Sequence, residues 1–424
     1  VRILFVTHNI PRVAGDAAGS FILRLAIALR DLGARVDVLA PGGSGLAPHE
    51  AIEGIEIRRV PYGRPDQMTL AHTGTMADAV RSSWGGRVAL LRLLRALRRE
   101  AARLVAEARA AGAPYDVVHA HWWFPAGLAL WRARLAGAPP QVITMHGSDV
   151  RLARAVRPAH PLMRAVLRAA TVRTAVSSWL ADEASQIVPG AEIRVGPMPI
   201  DMRLFTDEAS TDPPPGTATG QATADEAHAQ RNDLLFVGRL NRQKGLQDLL
   251  DAMACEPLST RRVPVVHLDV IGDGPDRPRL EAHARAIGIA DRIRWHGALP
   301  QPRLVPFYRR AAVVVVPSRE EGLGLVAVEA QLCRAPVVAY ASGGLPDVVQ
   351  PGAGGALVPV GDVRALAAAI GELLEDPDRR DRAGAIAQAA MRSRFAPEAV
   401  GTQYLGWYRE AIAMRAGRLA TAAA

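Results

Sequence analysis

Residues 313–340 read VVVVPSREEGLGLVAVEAQLCRAPVVAY. The run Val313–Pro317 is short, β-branched and apolar, as a buried strand is. Gly322 and Gly324 break it, Leu325–Cys333 reads as a helix, and Pro336–Tyr340 is strand-like again. Strand, helix and strand in so few residues make a βαβ crossover, which joins parallel strands.

The same alternation extends both ways. Strands are predicted at Leu234–Gly238, Val265–Gly272, Ile293–His296 and Ala356–Val358, and helices at Gly245–Ala254, Pro278–Gly288, Pro302–Ala311, Val363–Leu374 and Asp378–Arg394. In the first half, Arg2–Thr7, Arg35–Ala40, Tyr115–Ala120, Gln141–His146 and Thr171–Ser177 read as strands, and Gly19–Asp31 as a helix. Residues 206–232 interrupt the pattern with Pro, Thr, Ala and acidic residues and no core face. The organisation expected is a Rossmann-like domain over 1–200, a low-complexity linker at 201–232 and a second such domain over 233–395. The helix over 396–424, with Tyr404, Trp407 and Tyr408 at helical spacing, is expected to pack back towards the first domain. The fold class is therefore α/β, two doubly wound parallel sheets with a cleft between them, and ligands outside the carboxyl ends of the strands.

The 424 residues suit two domains, and 49% hydrophobic with 22% charged residues excludes a disordered or collagen-like chain. Cys255 and Cys333, far apart, exclude a disulfide framework or structural zinc site. The start VRILFV shows no basic or apolar leader pattern, and the longest tight apolar run, Ala311–Val316, is too short to span a bilayer. The expected location is the cytoplasm.

Basic and acidic residues number 51 and 42. Residues 1–200 hold 25 basic and 15 acidic side chains, and 201–424 hold 26 and 27, so the excess lies in the first half. Its densest part, 81–109, has eight Arg against Glu100 and Glu107. Such a half suits an anionic partner, a phosphorylated substrate, an acidic membrane surface or nucleic acid, although an Arg-rich solvated face would look the same. Leu90, Leu93, Leu94, Leu97, Leu104 and Val105 share one helical face there, with Arg92, Arg95, Arg99 and Arg103 largely off it. Lys244 is the one lysine among the 51 basic residues. A lone compact ammonium in an arginine background marks a place where a point charge is wanted.

Lys244 lies in LLFVGRLNRQKG, Leu234–Gly245. A strand ends at Gly238, and Arg239 and Lys244 follow before a helix, a suitable clamp for a diphosphate. In PSREEGLGLVAVE, Pro317–Glu329, the glycines allow backbone N–H groups close to an anion, while Glu321 and Glu329 suit sugar or ribose hydroxyls. The turns SGGLPD at Ser342–Asp347 and IGDGP at Ile271–Pro275 follow further strands, and Gly272 and Gly274 read as structural.

These stretches, in this order and spacing, resemble family 4 of the glycosyltransferases, the large retaining group with the GT-B fold. The resemblance covers essentially the whole chain and is most specific in its second half. It implies a hexosyltransferase using a UDP- or GDP-sugar as co-substrate, with no other cofactor, and no metal is expected because no Asp-x-Asp stands at a strand end and no His/Cys cluster is present. Arg239 and Lys244 would bind the diphosphate, Glu329 the ribose and Glu321 the transferred sugar. Gly322, Leu323, Gly324 and Leu325, beside Gly238, would complete the donor site, Leu323 standing where the family more often has Phe. In DVVHAHWWFPAGL, His121 would face the reacting sugar and His119 would pack, and His146 in TMHGSD would line the acceptor side with Asp149 near it. Gly15 and Asp16 stand where the family often has Gly-Gly, so Asp16 suits an acceptor hydroxyl better than a phosphate.

The catalytic set expected is therefore His121, Arg239, Lys244 and Glu321, with the cations and helix dipoles stabilising a departing nucleoside diphosphate. The acceptor would be a hydroxyl compound, lipid-linked or phosphorylated. The same two-domain fold also serves nucleotide-sugar epimerases and glycosyl phosphorylases. Nucleic acid is not an expected partner, since no aromatic-basic RNA pattern is present. An NAD enzyme is disfavoured because no GxGxxG follows the first strand.

Overall fold

A computed structural model describes residues 1–13, 16, 18–68, 70, 76, 80, 83–206, 233–259, 265–351 and 355–423. The chain divides into two compact units, Val1–Pro199 with Pro397–Ala424, and Ile200–Ala396.

The first unit is built on a sheet of strands β1 (Arg2–Val6), β2 (Arg35–Pro41), β3 (His49–Ile52), β4 (Ile55–Val60), β5 (Val117–His121), β6 (Gln141–Met145), β7 (Val172–Ala175) and β8 (Arg194–Val195). Their order is β3-β4-β2-β1-β5-β6-β7-β8. All neighbours are parallel except β3 and β4, an antiparallel hairpin at the edge that the sequence reading does not contain. Between β1 and β5 the order reverses, because right-handed crossovers wind from β1 in both directions. Helix α1 (Ser20–Asp31) buries Ile22, Leu25, Ala26 and Leu29, the face expected. Helix α2 (Trp84–Ala110) buries Leu93, Leu97, Ala101 and Val105 against the sheet, while Leu90, Leu94 and Leu104 are half-buried. Helices α3 (Ser148–Ala155), α4 (His160–Ala169) and α5 (Ser178–Ile187) follow β6 and β7.

The second unit starts with α6 (Met202–Thr206), whose Phe205 is buried. These residues, counted by sequence with the linker at 201–232, are packed helix, and residues 207–232 lie outside those described. The sheet has β9 (Leu234–Val237), β10 (Leu268–Ile271), β11 (Ile293–Gly297), β12 (Val313–Val316), β13 (Val337–Tyr340) and β14 (Gly355–Val358) in the order β11-β10-β9-β12-β13-β14, all parallel. Helices α7 (Leu246–Met253), α8 (Arg277–Ala286), α9 (Gln301–Arg310), α10 (Leu325–Leu332), α11 (Val363–Glu375) and α12 (Pro377–Phe395) alternate with the strands. The core joins Leu234, Phe236, Leu249, Val270, Val313, Val315 and Val338 to Leu366 and Ile370.

The last helix, α13 (Pro397–Ala423), belongs to the first unit. Val400, Tyr404, Leu405, Tyr408 and Ala411 are buried. Gly401 lets it approach Ala28 and Leu32 beside α1, and Arg194 pairs with Glu410. Among the described residues, no helix is long and apolar enough to cross a membrane.

Candidate functional site

In the second unit the strand order reverses between β9 and β12. At such a point the loops leaving two adjacent strands diverge and open a crevice at their carboxyl ends. Lys244 leaves β9 and Glu321 leaves β12, and the reversal brings them together: Lys244 Nζ donates to Glu321 Oε2 at 2.6 Å across 77 residues of sequence. Both are partly exposed, 26% and 18%.

Backbone stitching holds these loops. The Arg319 N–H donates to the Gln243 carbonyl at 2.8 Å, and the Gln243 side chain donates to the Glu320 carbonyl at 3.0 Å. Asn241 caps the turn by accepting from the Lys244 N–H at 3.2 Å. Gly245 has φ of 68°, and a Cβ there would collide with the Pro317 carbonyl oxygen. The third loop joins through the SGGLPD turn. The Gly344 N–H donates to the Glu321 carbonyl at 2.9 Å, and Gly343, at φ 56°, has no room for a Cβ against the same carbonyl. Gly324, at φ 94°, then opens α10, whose first turn has no side-chain cap. Arg239 is exposed and has no partner among the described residues. Gly238 directly follows β9, Gly322 and Leu325 are half-buried, and Leu323 is buried. A free guanidinium, an ammonium and an uncapped helix N-terminus make a cation-rich rim able to hold an anion.

Glu329 lies on the buried side of α10. Gln301 Nε2 donates to its Oε1 at 2.7 Å and Tyr308 Oη to its Oε2 at 2.8 Å, both from α9. Burial pushes its carboxyl up to about 6, against the pull of these two donors. Asp248 anchors the neighbouring loop, accepting from Arg319 at 2.7 and 2.9 Å and from Tyr340 Oη at 2.9 Å.

In the first unit the reversal between β1 and β5 gathers a histidine cluster. His121 ends β5, its ring edge-on to Phe5 at 4.6 Å. Its Nδ1 shares a hydrogen bond with His146 Nε2 at 3.1 Å, and its buried Nε2 has no partner among the described residues. Burial, and secondarily His8, lowers His121 to about 3; burial lowers His8 to about 4 and holds His146 well below the usual range. These imidazoles are neutral at pH 7. His8 and His146 flank the Trp122 ring at 4.2 and 4.4 Å. His8 also ends with a buried, unpartnered Nδ1. The sequence reading passed over it, although it follows β1 as His121 ends β5. His119, two residues before His121 on the same face of β5, lies beside it with ring centroids 4.2 Å apart and is bonded to Tyr408 Oη at 2.8 Å and Thr144 Oγ1 at 2.7 Å.

Asp149, considered beside the acceptor residues, is aimed at backbone instead. It accepts from the N–H groups of Trp123 at 3.0 Å, Gly147 at 3.1 Å and His146 at 3.3 Å, tying the loop after His121 to the turn holding His146. Burial outweighs these bonds and raises its carboxyl to about 6. Asp16 accepts from Arg12 Nε at 2.8 Å and the Ala18 N–H at 3.1 Å. Burial raises its carboxyl, but these bonds together hold it below the usual range. Gly15 lies outside the described residues. No group of three or more metal-ligating side chains forms among the described residues.

Two doubly wound units, each with polar side chains at its point of strand reversal, define the class, a GT-B type α/β protein. Residues 18–204 match the family described as Glycosyltransferase Family 4, and residues 222–390 match Glycosyl transferases group 1. The chain is 33% identical over 425 residues to a D-inositol 3-phosphate glycosyltransferase of Xylanimonas cellulosilytica, covering 95% of this chain and 94% of that one. A protein of the same name from Acidothermus cellulolyticus is 35% identical over 344 residues, with 74% and 71% covered. Sucrose-phosphate synthase from Thermosynechococcus elongatus shares the fold at a TM-score of 0.74 and 24% identity, covering 97% of this chain and 99% of that one. Anabaena HepE in complex with UDP-glucose does so at 0.65 and 19%, covering 96% and 99%. The chain belongs to glycosyltransferase family 4 and is a glycosyltransferase of the GT-B fold.

Proposed function

We propose that this enzyme transfers a hexose from a UDP- or GDP-sugar to a hydroxyl of a phosphorylated acceptor, retaining anomeric configuration. The observation that carries the donor assignment is the meeting of Lys244, Glu321 and the uncapped start of α10 at one strand reversal, with Arg239 free on the same loop. Lys244 and Arg239 bind the two phosphates, and Glu321 orients the sugar. Glu329 accepts from a ribose hydroxyl. As the bond from the sugar's anomeric carbon to the diphosphate breaks, the cations and the α10 dipole stabilise the negative charge that develops. The acceptor oxygen forms the new bond and its proton passes to the leaving phosphate. His121 is neutral, so it acts by hydrogen bonding a sugar hydroxyl through its unpartnered Nε2, not by giving up a charge. The phosphorylated acceptor is supported by the names of the relatives and by the basic first unit.

The test is a thermal-shift panel of UDP, GDP and their sugars on wild type and Lys244→Ala. A ligand that binds only the folded state raises the midpoint. One base should stabilise wild type and lose about tenfold or more in affinity in the variant, as loss of a charged hydrogen bond implies. No shift with any of them would sink the donor assignment.

A further inference from the structure

We propose that the first half of α2, Trp84–Arg99, docks the first unit onto a membrane surface bearing anionic lipid. This stretch carries five arginines, Arg87, Arg92, Arg95, Arg98 and Arg99, and no acidic residue. None of the five is ion-paired among the described residues. Arg87 donates to the Val80 carbonyl, Arg92 to Gln67 Oε1 and Arg98 to the Arg132 carbonyl, all neutral acceptors. Arg95 and Arg99 have no partner there and are exposed. The second half of the same helix behaves differently, since Arg103 is held by Glu100 and Glu107. Positive charge is therefore concentrated, unneutralised, at one end of one helix.

Charge alone fits several partners, and the apolar residues select among them. Trp84 is 76% exposed and Leu91 is 52% exposed, among the most exposed large apolar side chains described. They lie seven residues apart, and Arg95 follows four later, so the three share one stripe. Leu93, nine residues after Trp84, projects to the opposite side and is fully buried. The helix is thus fixed to the sheet by one face and presents the other, a Trp and a Leu flanked by guanidinium groups. An indole and an isobutyl group set among arginines match the headgroup boundary of a bilayer, where the ring and alkyl groups bury and the cations meet phosphates. A nucleic acid backbone would use the arginines and leave Leu91 in water. The helix lies along such a surface and does not cross it.

The experiment is sedimentation of the full chain with vesicles of phosphatidylcholine alone and of an equal phosphatidylcholine–phosphatidylglycerol mixture, at low and high salt. The protein should bind the anionic vesicles, release with salt and ignore the neutral ones. Each arginine near an anionic surface contributes roughly fivefold in binding, so Arg95→Gln with Arg99→Gln should weaken it roughly 25-fold. Trp84→Ala with Leu91→Ala should abolish sedimentation, and brominated lipid should quench wild-type tryptophan emission but not that of Trp84→Phe. All of these positions are exposed, so the fold is preserved, and an unchanged melting midpoint without ligand verifies that for each variant. Absence of binding to anionic vesicles, or equal binding by both double variants, overturns the proposal. Salt-sensitive binding to duplex DNA that needs the arginines but not Trp84 or Leu91, without vesicle binding, overturns it in favour of nucleic acid.

Discussion

Replacing Glu329 by Gln gives a direct measure of how the buried carboxylate of α10 is held. In the folded protein burial raises its carboxyl from 4.5 to about 6, the donors Tyr308 and Gln301 only partly offsetting that. Between these values the folded state holds the proton more tightly than the unfolded chain. The stability linked to this group is therefore complete below about pH 4.5 and is lost as the pH rises through about 6. The gap corresponds to about 2 kcal/mol. Gln at this position is neutral at every pH and keeps an oxygen for the Tyr308 hydroxyl. The difference between variant and wild type must then move by about 2 kcal/mol in favour of the variant from pH 4 to pH 7. Hydrogen exchange at the amides of α10, compared between the two proteins at each pH, reads this locally and cancels every other titrating group. A ribose hydroxyl donating to the carboxylate would favour its charged form, so UDP binding near pH 6 should release a proton in wild type and none in the variant. Calorimetry in two buffers of different ionisation enthalpy measures that. An exchange difference that stays constant with pH, or moves the other way, would refute the account of burial as the dominant influence on Glu329.

Four further outcomes are expected. Glu321→Gln should tighten binding of the nucleoside diphosphate while slowing transfer, because the 2.6 Å partner of Lys244 becomes a neutral amide that competes less with phosphate; isothermal titration and a turnover assay separate the two effects. Gly343→Ala should destabilise the second unit by about 1–3 kcal/mol and weaken UDP binding, since its Cβ would drive into the Glu321 carbonyl, whereas Gly406→Ala, with open space around it, should be neutral or slightly stabilising in thermal melts. Tyr408→Phe should cost about 1–3 kcal/mol in urea unfolding, because it leaves His119 Nδ1 buried without a partner. His8 and His121 are held neutral, lowered to about 4 and about 3, so stability of the first unit should fall as the pH drops below 6.5, by up to about 1.4 kcal/mol per pH unit for each. His8→Asn should make the measured slope shallower by up to about 1.4 kcal/mol per pH unit, the buried His119, His121 and His146 keeping the rest, as urea unfolding at successive pH values will show.

The alternation of apolar strands with helices is a local pattern, so the two parallel sheets were legible from VVVVP, LLFVG and VRILF alone. The β3–β4 hairpin was not. It turns at Glu53 and Gly54, at φ 49° and 77°, and Glu-Gly is a weaker turn marker than Asn-Gly or Asp-Gly. Its edge strand β3 also buries only Ile52, so it lacks a hydrophobic run. Within the site, the lone lysine pointed to the β9 loop by composition. Its contact with Glu321 could not be read without knowing that β9 and β12 are neighbours, since strand order is a property of the winding and not of either segment. The same holds for Gln301 and Tyr308, which reach Glu329 from another helix.

Asp149 and Arg239 show what spacing leaves undetermined. Each lies in a polar loop soon after a strand, with the same apparent claim on a ligand. The Asp149 carboxylate sits in the first turn of α3 and is consumed by three backbone N–H groups outside that helix, those of His146 and Gly147 just before it and of Trp123 after β5. Arg239 has no acceptor within reach among the described residues and stays exposed. Whether a polar side chain holds a loop or waits for a ligand thus depends on which backbone groups around it are already satisfied. In the second unit both kinds stand side by side, because Lys244, proposed to meet phosphate, lies on a loop held by the inward-facing bonds of Asn241 and Gln243.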